Sequence, residues 1–479
     1  MSGSCVVIGG GITGLAAAHA LNAAVSASLL DTATLLEAAP QLGGKIVTER
    51  MGGFVLEAGP DSFLTIKPEA LELCRTLGLA DQVVGTLAPR HVFVLSRGVL
   101  EPLPDGLAAL VPTRLLPFLR SGLFSVWEKA RMVGELVVSP HRDGAEESLG
   151  EFVRRRLGPA AVDRLAAPLL AGIYAGDVDR LSLQATFPQL AEMESHHGSL
   201  MMAAVRQQLR RRRRHPPGDH AAEDDTDGLG MFATLRDGLD HLVNRITDSL
   251  PHVGVRTGAP ARIITREENQ YRVHLATGAY VDADVIIATT PAHAAARLLR
   301  GLTPAAASAL EQIPYVSTAA IALGFARADV AHPLAGHGYV VARGEGLAHT
   351  ACTWTSSKWP LRTPANCVLL RCYVGRAGDT RALDEDDDSL VATVLAEVRP
   401  LLGITGPPLL ARVHRWEDAM PQYEVGHLGR VEAITDALSQ TPGVLVAGAG
   451  YGGIGLPDCI RQGTEVAGAA LRYLGAAAG

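Results

Sequence analysis

Residues 4–14 constrain this chain more than any others. The apolar run SCVVI (4–8) meets the glycine turn GGGITG, and an alanine-rich stretch of helical character, LAAAHALNAA, follows. Strand, glycine turn and helix in this order open a parallel, dinucleotide-binding α/β fold. Gly9, Gly11 and Gly14 fit GxGxxG. Gly9 permits the tight turn, Gly11 leaves no side chain between backbone and a pyrophosphate, and Gly14 lets helix and strand pack closely. The helix starting near Ile12 aims its first N–H groups and its positive dipole end at the phosphates. ATLLEA then reads as a second strand ending in Glu37, placed to accept hydrogen bonds from an adenosine ribose. Glu37 lies 23 residues beyond Gly14, where about 20 is usual. Asp31 is the rival, but it sits in the connecting turn, whereas TLLE leads directly into Glu37.

Composition narrows the partners. With 47% hydrophobic and 19% charged residues over 479 positions, the chain has ample core for two or three domains. A net charge of −7 supplies no chain-wide basic field for nucleic acid. The six cysteines show no CxxC or Cys/His ligand spacing, so reduced thiols and no metal are expected. The amino terminus shows no cationic segment, apolar core and cleavage site, so a cytoplasmic location is expected. Residues 107–127 are apolar but interrupted by Pro112, Arg114, Pro117 and Arg120. They can cover a cavity or touch a membrane face, and the expectation is peripheral membrane contact at most.

Further along, three strand-like stretches follow Arg256 and end in Val285 to Ala288. Helical character marks Glu146 to Leu157 and Ala160 to Ala171. Arg210 to Gly230 joins five arginines, a proline pair and an acidic cluster, and reads as a solvated loop. LDEDDD (383–388) gets the same reading. VLVAGAGYGGIGLPDCI again fits GxGxxG, at Gly448, Gly450 and Gly453. Only 26 residues follow Gly453, too few for a second βαβ unit, so this segment reads as backbone lining the first site.

The second glycine pair and Lys45 in APQLGGKIVTER, just after Glu37, resemble the corresponding turn of FAD enzymes of the amine oxidase and glutathione reductase type. Six longer stretches resemble the porphyrinogen oxidase family of haem synthesis: GFVLEAGPDSFL (53–64), SLGEFVRRRLG (148–158), PLLAGIYAGDVDRLSLQATFPQL (168–190), TACTWTSSKWP (350–360), RWEDAMPQY with the later GH (415–427), and GIGLPDCIRQG (453–463). The resemblance implies FAD contacts at Gly9, Gly10, Gly11, Ile12, Thr13 and Gly14, at Glu37, Ala38 and Lys45, and at Gly59, Pro60, Asp61 and Ser62. It further implies Ala261, where the family usually has Val, then Trp416, Ile454, Gly455 and Leu456.

Residues 102–125 are similar to the Gram-positive type, which implies coproporphyrinogen III as substrate, with protoporphyrinogen IX as the alternative. Val92 falls where other types carry a propionate-binding Arg, with Arg90 two positions earlier. Lys67, Ile173 and Tyr373 are the implied pocket residues. Lysine is scarce: Lys45, Lys67, Lys129 and Lys358 are the four among 43 basic residues. The implied reaction removes six electrons in three hydride-type rounds, with O2 as acceptor and three H2O2 as product. Such chemistry belongs to the cofactor. No catalytic side chain is expected, and the pocket is expected to be apolar and poor in aromatics.

The expected architecture is α/β: a Rossmann-type FAD-binding domain (1–70, 231–300 and 410–475), a mixed α+β substrate domain (71–94, 186–230 and 301–409), and a helical insertion (95–185) over the cavity. A flavin amine oxidase or carotenoid desaturase, and a non-catalytic relative resembling the GDP-dissociation inhibitors, are the remaining readings.

Overall fold

The computed structural model describes residues 3–104, 107–108, 111–112, 115–140, 145–206 and 228–477. Of the segment Arg210 to Gly230, read as a solvated loop, residues 210–227 lie outside them. Five short strands run parallel in the spatial order Val253–Arg256, Thr32–Leu36, Ser4–Ile8, Val285–Ala288 and Val444–Val446. Ser4–Ile8 and Val285–Ala288 are buried almost throughout, which is why they read as unbroken apolar runs. The order reverses beside Ser4–Ile8, and such a switch point is where doubly wound sheets bind ligands.

Helix Ile12–Ser26 covers this sheet and packs along the final helix, Leu456–Ala477. Small residues make that approach possible: a β-carbon on Gly463 would overlap the carbonyl oxygen of Thr13. Of the three stretches after Arg256, the first two and the start of the third form an antiparallel sheet, Ala261–Glu267, Gln270–Leu275 and Tyr280–Ala283, while the end of the third, Val285–Ala288, belongs to the parallel sheet.

A second sheet has seven strands, in the order Leu410–Pro421, Tyr315–Ala326, Cys367–Val374, His349–Trp354, Gly338–Val341, Val92–Ser96 and Val99–Pro102. Helix Asp387–Leu402 buries Leu390, Val394 and Val398 in the core on one face of it. The acidic run read as a loop starts this helix. Asp386 accepts from the Ser389 N–H at 2.8 Å, and Asp387 pairs with Arg415 at 2.8 Å. Carboxylates there satisfy open N–H groups and the positive helix end.

Helices between Val126 and His197 form a third cluster around Phe118, Phe152, Leu165 and Leu190. Capping boxes fix two of their starts, Ser125 with Glu128 and Ser148 with Glu151. Arg156 and Glu135 form an ion pair inside this cluster with both side chains fully buried.

The expected domain limits shift in three places. Leu410–Pro421 was assigned to the cofactor unit, but it pairs along Tyr315–Ala326 in the seven-stranded sheet. Helix Glu69–Thr76 buries Leu71 and Cys74 in the core of the parallel sheet. Leu190, Leu200 and Ala204 pack with the helical cluster, not with the substrate sheet.

Candidate functional site

The first glycine turn has the geometry a dinucleotide needs. Gly9 takes φ +110°, and its N–H donates to Leu36 O at 2.8 Å. A β-carbon on Gly14 would overlap the Gly9 carbonyl oxygen, whereas one on Gly11 would meet no atom within 4 Å. Gly11 opens helix Ile12–Ser26 without any side-chain cap, so its first N–H groups, including those of Ile12 and Thr13, are free to hold an anion. A dinucleotide phosphate fits this cradle on shape and on charge.

The Glu37 carboxylate spans the turn, accepting from Gly10 N–H at 2.5 Å and from Ala39 N–H at 2.7 Å. Ala38 is exposed beside it, and Ala259 N–H donates to Glu37 O at 2.8 Å, two residues before Ala261. We expect Glu37→Ala to weaken FAD retention about 10- to 100-fold, the worth of a hydrogen bond to a charged group. Flavin content after gel filtration checks this, and full occupancy in the variant would refute the ribose assignment.

Other candidates join the same surface. Gly43 N–H donates to Gly10 O at 2.8 Å, which stacks the second glycine pair on the first turn. Lys45 donates to Ala419 O, and burial lowers its pKa. A β-carbon on Gly59 would overlap the Lys45 carbonyl oxygen. Trp416 Nε1–H donates to Ala58 O at 2.8 Å. Ile454, Gly455 and Leu456 lead into the final helix, held by Gly453 N–H donating to Tyr423 Oη at 2.8 Å.

The turn at Gly59, Pro60, Asp61 and Ser62 is backed by charge and aromatic rings, where an apolar, aromatic-poor pocket was expected. Asp61 accepts from Lys358 Nζ at 3.0 Å, Trp359 Nε1 at 3.1 Å and Ser62 Oγ at 2.7 Å. Arg371 donates to the carbonyls of Ala58, at 3.2 Å, and Gly59, and its guanidinium lies 4.9 Å from the Tyr373 ring centroid. Burial alone would raise the Asp61 pKa; Lys358 and Arg371 outweigh it and hold the carboxyl well below the usual range. Sequence reading missed Lys358, Trp359 and Arg371 as neighbours of this turn. The one available signal was that Lys358 is among only four lysines.

The three substrate candidates lie on different segments of the fold. Lys67 is ion-paired with both carboxylate oxygens of Asp458 at 2.6 Å, its side chain 43% exposed. Ile173 is 49% exposed near the end of helix Ala167–Tyr174, while Leu170 and Tyr174 face the core. The Tyr373 hydroxyl sits 3.3 Å from Thr353 Oγ1. Among the described residues, no hydrogen bond or ion pair joins these three directly.

His427 is fully buried and stacks on Tyr423 at 3.9 Å between centroids. Burial pushes its pKa down to about 4 from 6.5. The folded protein therefore holds it neutral where the unfolded chain binds a proton. Its contribution to stability is full above pH 6.5 and is lost as pH falls toward 4, about 3 kcal/mol in all. Denaturant titrations across that window should show a shallower pH dependence in His427→Gln than in the wild type.

Among the described residues, no group of three or more His, Cys, Asp or Glu side chains could hold a metal, and no helix is long and apolar enough to cross a membrane.

A Rossmann sheet on whose surface a glycine cradle, the Glu37 carboxylate and a second glycine turn meet fits a flavin-dependent oxidoreductase. The family described as flavin containing amine oxidoreductase matches residues 12–471, and the chain belongs to it. It is 40% identical to coproporphyrinogen III oxidase of Bacillus subtilis (strain 168) over 98% of both chains. It is 30% identical to protoporphyrinogen oxidase 1, chloroplastic, of Arabidopsis thaliana, over 97% of this chain and 87% of that one. A crystal structure from Exiguobacterium sp. 255-15, provisionally named protoporphyrinogen oxidase, superposes with a TM-score of 0.84 at 34% identity, over 98% of this chain and 99% of that one. The cofactor is FAD, and the porphyrinogen oxidases expected from the six stretches are the relatives found.

Proposed function

We propose that this protein oxidises coproporphyrinogen III to coproporphyrin III. The observation that carries this reading is the 40% identity over 98% of both chains with a coproporphyrinogen III oxidase, against 30% with a chloroplastic protoporphyrinogen oxidase. FAD held by the cradle at Gly9 to Gly14 would supply two-electron oxidation with O2 as final acceptor, and three such rounds would account for the six electrons and three H2O2.

The chain's own residues hold and orient. The N–H groups at Gly11, Ile12 and Thr13 take the pyrophosphate, and Glu37 takes the ribose, exchanging its bond to Gly10. Arg371 and Trp416 pin the Ala58 and Gly59 carbonyls, fixing the wall that Gly59, Pro60, Asp61 and Ser62 present. Lys67 offers its exposed ammonium to a substrate propionate, with Asp458 holding it in place. Ile173 supplies apolar surface for the macrocycle, and Tyr373 a hydroxyl at the far wall.

Anaerobic mixing of the holoenzyme with each porphyrinogen tests the reading. The flavin band should bleach faster with coproporphyrinogen III, and faster bleaching with protoporphyrinogen IX would reverse the substrate assignment. Lys67→Ala should lower kcat/KM for coproporphyrinogen about tenfold, one charge-assisted hydrogen bond, and for protoporphyrinogen less. Equal losses remove the role. We place the reaction in the cytoplasm with peripheral membrane contact at most, through Val126, Trp127 and Val137, which stand 77%, 85% and 87% exposed. Vesicle cosedimentation measures that contact.

A further inference from the structure

We propose that Cys352 and Cys372 form a peroxide-oxidised dithiol, a covalent modification site behind the substrate sheet. Strands His349–Trp354 and Cys367–Val374 run antiparallel with Cys352 directly opposite Cys372, so both side chains project from one face. Directly opposed Cα atoms stand about 4.5–5.5 Å apart, inside the roughly 4.4–6.8 Å that disulfides span.

A relay leads away from this pair. Tyr339 lies opposite Cys352 on the neighbouring strand, its hydroxyl meets His349 Nε2 at 2.9 Å, and His349 Nδ1 meets Glu397 Oε2 at 2.6 Å. With Nδ1–H donating to the carboxylate, Nε2 accepts from the tyrosine hydroxyl. None of these groups touches the flavin cradle, and a purely packing role requires no such chain.

The chemistry balances with one hydrogen peroxide. Cys352 gives its proton to the relay and attacks a peroxide oxygen; the O–O bond breaks, sulfenic acid forms, and the departing hydroxide regains the proton as water. Cys372 then attacks the sulfenic sulfur, forming the S–S bond and a second water. The oxidase reaction proposed above releases the peroxide, and the inference rests on that reading for its natural oxidant alone.

The test adds H2O2 directly to the full-length holoprotein, then applies denaturing alkylation, digestion and mass spectrometry. A Cys352–Cys372 cross-linked peptide that vanishes with dithiothreitol is expected, while Cys5, which faces Ala33 and Val285 in its sheet, and Cys74, in helix Glu69–Thr76, have no cysteine strand partner and remain alkylatable. Tyr339→Phe should form the cross-link about tenfold or more slowly. Alkylation of Cys352 and Cys372 as complete as that of Cys5 and Cys74 would overturn the site; equal rates in Tyr339→Phe would overturn the relay. Because no porphyrinogen is present, a protein inactive toward porphyrinogens still gives a decisive result.

Discussion

Gly14→Ala is expected to abolish flavin retention and to lower stability by about 3 kcal/mol or more. Helix propensity alone argues the opposite, since alanine in place of a helical glycine is worth up to about 1 kcal/mol in its favour. Sterics decide the sign, because the new methyl would overlap the Gly9 carbonyl oxygen. That oxygen is fixed by Thr289 Oγ1 at 2.9 Å, so relief requires the helix to move off the strand. The movement withdraws the N–H groups that face the phosphates. Gly59→Ala should act in the same way through the Lys45 carbonyl. Visible spectra after purification and thermal melts measure both effects. A Gly14→Ala protein that keeps its colour and melting temperature would show that helix and strand are not held at this distance.

The second large effect falls far from the cofactor. Removing Arg156 from its buried pair with Glu135 should cost about 3–5 kcal/mol, because Glu135 is left charged without the cation it is paired with. Arg156 also donates to Val138 O at 2.8 Å and Gly198 O at 2.7 Å. Glu135 accepts from Ser199 Oγ at 2.7 Å and Leu200 N–H at 2.8 Å. Arg156→Leu therefore strands two carbonyls and a carboxylate at once. Joint replacement of both residues by Leu should not restore wild-type stability, since the Ser199 and Leu200 donors stay unmet. Urea titrations of both variants check this, and a loss below about 1 kcal/mol in Arg156→Leu would mean that water reaches the site.

Local signals in the sequence proved easiest to read. The glycine turn, the two strands flanking its helix and the place of Glu37 all follow from spacing within a few dozen residues. The Leu410–Pro421 strand was misassigned because its partner, Tyr315–Ala326, lies about a hundred positions earlier, and no periodicity in either segment names the other. The same distance hid the cluster around Asp61, whose partners Lys358 and Trp359 are 297 and 298 positions away. Charge runs misled where a cap was at work: the acids at 383–388 read as solvated, yet Asp386 holds the start of a core helix. Lys67 reads as a pocket residue, and only folding shows Asp458 closing on it.

The Leu410–Pro421 strand also dictates how the molecule comes apart. Its backbone belongs to one sheet, while Trp416 and Ala419 are fastened to Ala58 and Lys45 beside the other. A hinge between the halves would tear those fastenings, so heat or protease should dismantle both together, and loading the prosthetic group should shield the distal sheet as firmly as the cradle itself.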